Sequence, residues 1–293
     1  MDQTSRSPGN GRFTDWMTQR WVQASGRAVT WSNHTWLEAP VGDIDIIGLD
    51  FFQRFAERRG WRVVSDGESR GLVENFGDIR GPACQPDQVN AEVARFYERT
   101  SEYDFDVWSQ WSGVFRPFGG ALAALFSRRL QQLNVPLSPL DTSRGIASRV
   151  LRLVHGDGEA AFAAWIRETV ATKQALYVGS YSLCTVPGFE GTCIKVAFPL
   201  PNGYALVVMK PESRADGSFI LRSEGARFGD PGFYFFVEAS PGRGWARYLA
   251  SLKETIHVFC DERGELRTNH DMFLWGSRFL QIHYRIRRAP GAG

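Results

Sequence analysis

The sequence predicts an α+β protein, with a mainly helical region over 13–140 and then a long antiparallel meander over 141–293 forming a barrel-like sheet. Three observations predict it. Apolar residues recur at three- and four-residue spacing in segments before 140. Beyond 145 the spacing falls to two, in runs rich in β-branched and aromatic residues. Turn signals such as Asn202-Gly203 separate those runs at short intervals.

Residues 1–12, rich in Ser, Gly and Pro, read as a disordered tail. From 13 to 49 no period stands out, although Trp16, Trp21, Trp31 and Trp36 need apolar surroundings. The stretch 50–60 reads as a short helix. Asp50 caps it, Phe51, Phe52, Phe55 and Ala56 share one face, and Gly60 ends it. A short strand follows at 61–64. Residues 86–100 form a second helix capped by Asp87, with Val89, Val93, Phe96 and Tyr97 on one stripe. Residues 106–115 continue helically until Arg116-Pro117 breaks the pattern. A third helix restarts over 117–133, and 134–141, with two prolines, is a linker.

Strand-like runs follow at 145–154, 175–186, 192–201, 204–210, 219–224, 233–239 and 278–286. The run 159–170 is ambiguous between helix and strand, and 245–254 reads as a short helix. Tight turns join antiparallel neighbours, and a meander this long curls or splits to protect its edges. The helical region and the sheet can form one compact unit. No internal repeat is visible.

Composition narrows the function classes. The chain has 293 residues, 43% hydrophobic and 23% charged, enough apolar content for a sizeable core. Thirty-four basic against 32 acidic residues leave +2, which argues against a dedicated nucleic-acid surface. The densest basic runs, 54–62 and 285–288, read as solvated faces. The N-terminus lacks a secretory apolar segment, and no run reaches the roughly 18 apolar residues of a spanning helix, so a cytoplasmic location is expected. The helix at 117–133 can pack on the sheet or lie on a membrane surface as a peripheral contact. Cys84, Cys184, Cys193 and Cys260 form no CxxC pair; Cys184 and Cys193 bracket a predicted hairpin and should face each other as thiols.

The stretch 256–274, IHVFCDERGELRTNHDMFL, gathers two histidines, a cysteine and two aspartates. It reads as a hairpin, with Gly264 left-handed after a type I turn and Asp261 opposite Glu265. That register puts Val258, Cys260, Leu266, Thr268, His270 and Met272 on one face. His257, Arg267, Asn269 and Asp271 fall on the other, so the two histidines do not share a metal. In 278–286, His283 shares a face with Phe279, Gln281 and Arg285. His155 and Asp157 belong to a turn, and Asp104 and Asp106 to a helix start.

Nucleophile-elbow, HExxH, P-loop and dinucleotide-binding motifs are absent, and no cofactor or metal is implied. With 13% aromatic residues, the expectation is binding of a small apolar or aromatic molecule in a cavity of the β-region. Tyr181, Phe198, Phe235, Trp275 and Arg267 are the ligand-binding candidates. The alternative is a cofactor-independent cyclase, isomerase or hydrolase using His257, His270, Asp271 and His283 as acid and base.

Overall fold

A computed structural model describes residues 11–42, 47–64, 71–112, 146–155, 160–169 and 175–289. The α+β expectation holds in its coarse form. One antiparallel sheet dominates, with three α-helices against it among the described residues. The tail before 11, the linker at 134–141 and the helix expected over 117–133, with its membrane-surface reading, lie outside those residues.

The N-terminal elements are α1 (Gly11–Ser25), β1 (Arg27–Thr30), α2 (Phe51–Arg59), β2 (Arg62–Val64), α3 (Ala91–Glu98) and β3 (Tyr103–Trp111). In α2 the four predicted residues Phe51, Phe52, Phe55 and Ala56 are the buried ones, and Gly60 closes it at φ 65°. Asp50 makes no side-chain cap bond and instead pairs with Arg54. The second helix starts later than expected. Pro86–Gln88 forms a separate 3-10 turn, and Asn90, not Asp87, caps α3 by accepting from the Glu92 N–H at 2.8 Å. Residues 11–25 are helical, although 11–12 were expected to belong to the disordered tail and no period stood out from 13 onward. Val22 is fully buried there and Trp21 meets Phe235 edge-on at 6.2 Å.

Of the stretch 106–115, expected to continue as a helix, residues 106–111 belong instead to the strand β3, and 113–115 lie outside the described residues. Tyr103, Phe105 and Val107 alternate inward, a period of two that the aromatic content obscured. Its neighbour is supplied from the far end of the chain.

The remaining strands are β4 (Ile146–Val154), β5 (Ala160–Thr169), β6 (Ala175–Val186), β7 (Phe189–Leu200), β8 (Gly203–Ser213), β9 (Phe219–Arg222), β10 (Gly232–Ser240), β11 (Arg243–Leu249), β12 (Leu252–Cys260), β13 (Leu266–Leu274) and β14 (Ser277–Arg288). The ambiguous run 159–170 is thus a strand. The predicted helix at 245–254 is the end of β11 and the start of β12, because Ala246 alternates into a core shared with β8 and β10.

Strand β8 decides the topology. One edge pairs with β7 over 203–209. The other edge pairs with β10 over 203–208 and with β9 over 210–213. The sheet therefore divides. One arm runs β10–β11–β1, the other β9–β12–β13–β14–β3. The second arm curls back over β4–β8, so that Phe105 of β3 comes within 5.4 Å of Trp165 of β5, centroid to centroid. No ladder joins β3 to β4 among the described residues, so the sheet is curled but open there rather than a closed barrel.

The curl defines an inner and an outer side. Inside lies the largest core, with Val107, Trp165, Tyr181, Val207, Val258 and Ile282 contributed by both parts of the sheet. Outside, α2 packs on Leu153, Ala164, Ile166 and Val178. The segment carrying Trp36 and Leu37 covers Tyr204, Tyr234 and Phe236. Strands β4–β8 are therefore buried on both faces, whereas the outer face of β12–β14 and β3 carries charged side chains.

Gly203 sits where β7, β8 and β10 meet, paired with both Leu200 and Val237. A Cβ there would stand 2.0 Å from the Phe236 carbonyl oxygen, well inside contact distance. Gly203→Ala should therefore lower stability by about 2 kcal/mol or more in urea unfolding. An unchanged midpoint would show that the branch point tolerates separation of its strands.

Candidate functional site

The inner side has two unlike halves. At the end where β12 meets α3, aromatic residues pack solidly: Phe76, Phe96, Tyr97, Tyr103 and Phe219 are all buried. Toward the other end, Phe198, Phe233, Ile256, Met272 and Tyr284 are only partly buried against the same core. Polar groups are interleaved with the inner rings.

Arg167 stands among those rings. In β5, Ala163, Trp165 and Arg167 point inward while Phe162, Ala164 and Ile166 point to the outer cores. The side chain is drawn into a ring-lined position by alternation alone. Only 7% of Arg167 is exposed. Its guanidinium carbon lies 4.3 Å from the Trp165 ring, 4.6 Å from Tyr177, 5.4 Å from Tyr284 and 5.6 Å from Phe105. The cage thus takes rings from β5 and β6 on one side and from β3 and β14 on the other. Among the described residues no carboxylate pairs with this guanidinium, and its Nε finds no hydrogen-bond partner. Each well-placed ring contributes about 0.5–2 kcal/mol in a desolvated cation–π contact. An unsatisfied buried donor costs about 1–3 kcal/mol, so the cage offsets the burial without meeting the donors' directional demand.

Beside it, the Tyr177 hydroxyl donates to the Tyr181 hydroxyl at 3.0 Å. Burial pushes both phenols well above their ordinary range, so both keep their protons at neutral pH. Further along, His270 of β13 and Glu254 of β12 meet at 2.9 Å between Nε2 and Oε2. They lie diagonally across the ladder, since Glu254 is opposite Met272 and Ile256 opposite His270. Glu254 and Arg167 both act electrostatically on Tyr181. Trp165 is held by donation from Nε1 to Ser148 at 2.7 Å.

The chain is similar to "Uncharacterized membrane protein YndJ" of Bacillus subtilis (strain 168), with 29% identity over 219 residues, 74% of this chain. The chain spans 38% of that protein's length. No family model and no solved structure matches. Among the described residues no helix is long and apolar enough to cross a membrane.

The sequence-predicted site residues separate across the sheet. Tyr181, Phe198 and His270 are on the inner side. Phe235 lies on β10 against Trp21 of α1, and Trp275 projects from the β13–β14 turn, 78% exposed at φ 50°. His257, Arg267, Asp271 and His283 point outward, on the face opposite His270. There Arg267 pairs with Asp261 at 2.9 Å and Glu265 at 2.7 Å, and Asp271 with Arg278 at 3.2 Å. His283 bonds Asn269 and tilts against Trp108. Asp106 pairs with Arg287 on that face at 2.7 Å, rather than starting a helix. His155 packs on the Trp61 ring at 4.2 Å. The two histidines of 256–274 lie on opposite faces, as the Asp261–Glu265 register required. Cys184 and Cys193 are directly opposed, and all four thiols are free.

Sequence reading missed Arg167, Tyr177, Tyr284 and Glu254 as site residues. The usable signal was an arginine directly after 160–166, a run apolar on both faces, since such strands seldom carry a buried charge.

The outer-face histidines set a pH response. Burial lowers the pKa of His257 and of His283 below the usual 6.5, and nearby arginines add to it. The folded state then binds fewer protons than the unfolded chain just below pH 6.5, so stability is full above that value and falls as the pH drops through the window beneath it. The neighbouring Glu265 lies below its usual 4.5, so its contribution is lost only at lower pH. Urea midpoints should fall from about pH 7.5 to about pH 5.5, and His257→Asn with His283→Asn should flatten that slope. An equal slope in the double variant would assign the effect elsewhere.

Proposed function

We propose that the inner side, between the two parts of the curled sheet, forms a cleft that binds a small aromatic or apolar molecule. The observation that carries this reading is the convergence of rings from five positions on four strands, Phe105, Trp165, Tyr177, Tyr181 and the partly buried Tyr284, around one buried guanidinium. Flat ring faces with a few convergent polar groups are the usual lining of small-molecule sites. The relative named as a membrane protein supports a setting beside a membrane. In this reading the β-region stands in the aqueous phase, on the cytoplasmic side, where free Cys184 and Cys193 are at home.

The test is binding of N-phenyl-1-naphthylamine, a neutral aromatic probe, followed by energy transfer from tryptophan. Saturable one-to-one binding is expected. Tyr284→Ala should weaken it about fivefold or more, and Trp108→Ala on the outer face should leave it unchanged. Absence of saturation, or equal losses in the two variants, would contradict the proposal.

A second reading is a cofactor-independent acid–base enzyme, favoured by the Glu254–His270 pair on the same inner face. Of the histidines and aspartate first considered for that chemistry, His270 alone faces this cleft. A ligand that co-purifies and keeps its mass on incubation with both the native protein and His270→Asn would remove this reading.

A further inference from the structure

We infer that the molecule held in this cleft carries an oxyanion, a carboxylate or sulfonate on an aromatic body, and that Arg167 receives it. The inference rests on the cleft-binding reading and specifies its ligand class.

Arg167 is a buried cation that the described chain leaves incompletely used. It is 7% exposed, has no carboxylate partner among the described residues, and keeps an unbonded Nε. Four rings surround the guanidinium at 4.3–5.6 Å, which offsets part of the cost of burying charge but gives its Nε–H no acceptor. A guanidinium presents its donors in a planar fork that matches the two oxygens of an oxyanion. A second donor is at hand. Tyr177 and Tyr181 have two hydroxyl hydrogens and close one bond between them, which leaves the other to donate. Both phenols stand within the same group of side chains as Arg167, and Tyr177 is one of its four rings. The buried carboxylate of the cluster, Glu254, is already engaged by His270. An anion arriving at Arg167 would therefore meet a cation and a hydroxyl, and its aromatic body would lie along Trp165 and Tyr284. A neutral ligand of the same shape would fill the rings and leave the donors as they are.

The test compares two probes on the same ring skeleton, 1-anilinonaphthalene-8-sulfonate and neutral N-phenyl-1-naphthylamine, titrated into the whole protein. The sulfonate should bind about 10- to 100-fold more tightly, the range for a charge-assisted bond in a dry site. Arg167→Met should bring the ratio close to one, Arg167→Lys should keep part of it, and the outer-face Arg285→Met should leave it intact. Equal affinities in the native protein, or a preference that survives Arg167→Met or disappears in Arg285→Met, would overturn the assignment of the oxyanion to Arg167. In those cases saturable binding of the neutral probe would still leave the cleft reading standing. If neither probe binds saturably, both fall. Should Arg167→Met not fold, the native ratio and Arg167→Lys decide the matter.

Discussion

The geometry of this protein depends on β8 giving one edge to two partners. A strand has a single row of donors and acceptors on each side, so β10 and β9 can share that side only by dividing it, at residues 203–208 and 210–213. The strands beyond the division leave in different directions. The β9 arm continues through β12, β13 and β14 to β3, and the twist of so many strands carries it back over β4–β8. An inner side results, although no hydrogen-bonded ladder closes it among the described residues. Glycine at 203, with no room for a Cβ, is what lets three strands meet at the start of that division.

The two sides of the curl have opposite electrostatics. On the outer face, Arg267, Arg285 and Arg287 pair with Asp261, Glu265 and Asp106 where water competes, and exposed pairs of this kind contribute about 0–1 kcal/mol each. They make the outer face of that arm polar. On the inner side, one guanidinium and one carboxylate are buried without each other. Glu254 takes His270 and Arg167 takes rings. Burying like this is unfavourable unless something else is gained, which is why the inner polar groups, and not the more numerous outer ones, carry the functional reading.

Much of the fold was legible where one period ruled a segment. The apolar stripe of α2 and its closing Gly60 could be read residue by residue, because a single buried face with a glycine stop has few other solutions. The pairing of Asp261 with Glu265 followed from keeping Val258, Leu266 and Met272 on one side, and it assigned His257 and His270 correctly to opposite faces. Reading failed where both faces are buried or partners are remote. Residues 106–111 resemble a helix because their rings fall on several faces, and β14, which makes them a strand, lies more than 160 residues away in sequence. Residues 245–254 were misread for a different reason: they span the end of β11, paired with β10, and the start of β12, paired with β13, so no single period covers them.

The candidate site was legible only in part. Tyr181, Phe198 and His270 belong to runs whose alternation was clear, so their inward direction could be read. Arg167 sits in 159–170, where alanine favours helix as readily as strand, and only the strand assignment turns it toward Trp165 and Tyr177. Glu254 lay in a stretch mistaken for helix. Its contact with His270 depends on the diagonal offset of β12 against β13, which no local pattern reports. The arrangement as a whole rests on the claim that the inner side receives a guest. Hydrogen exchange with and without saturating 1-anilinonaphthalene-8-sulfonate tests it most directly. The account predicts added protection in β5, β6 and β14 around Arg167, with β1 and β11 unchanged. Protection confined to α1 or the outer arm, or none at all, would contradict it.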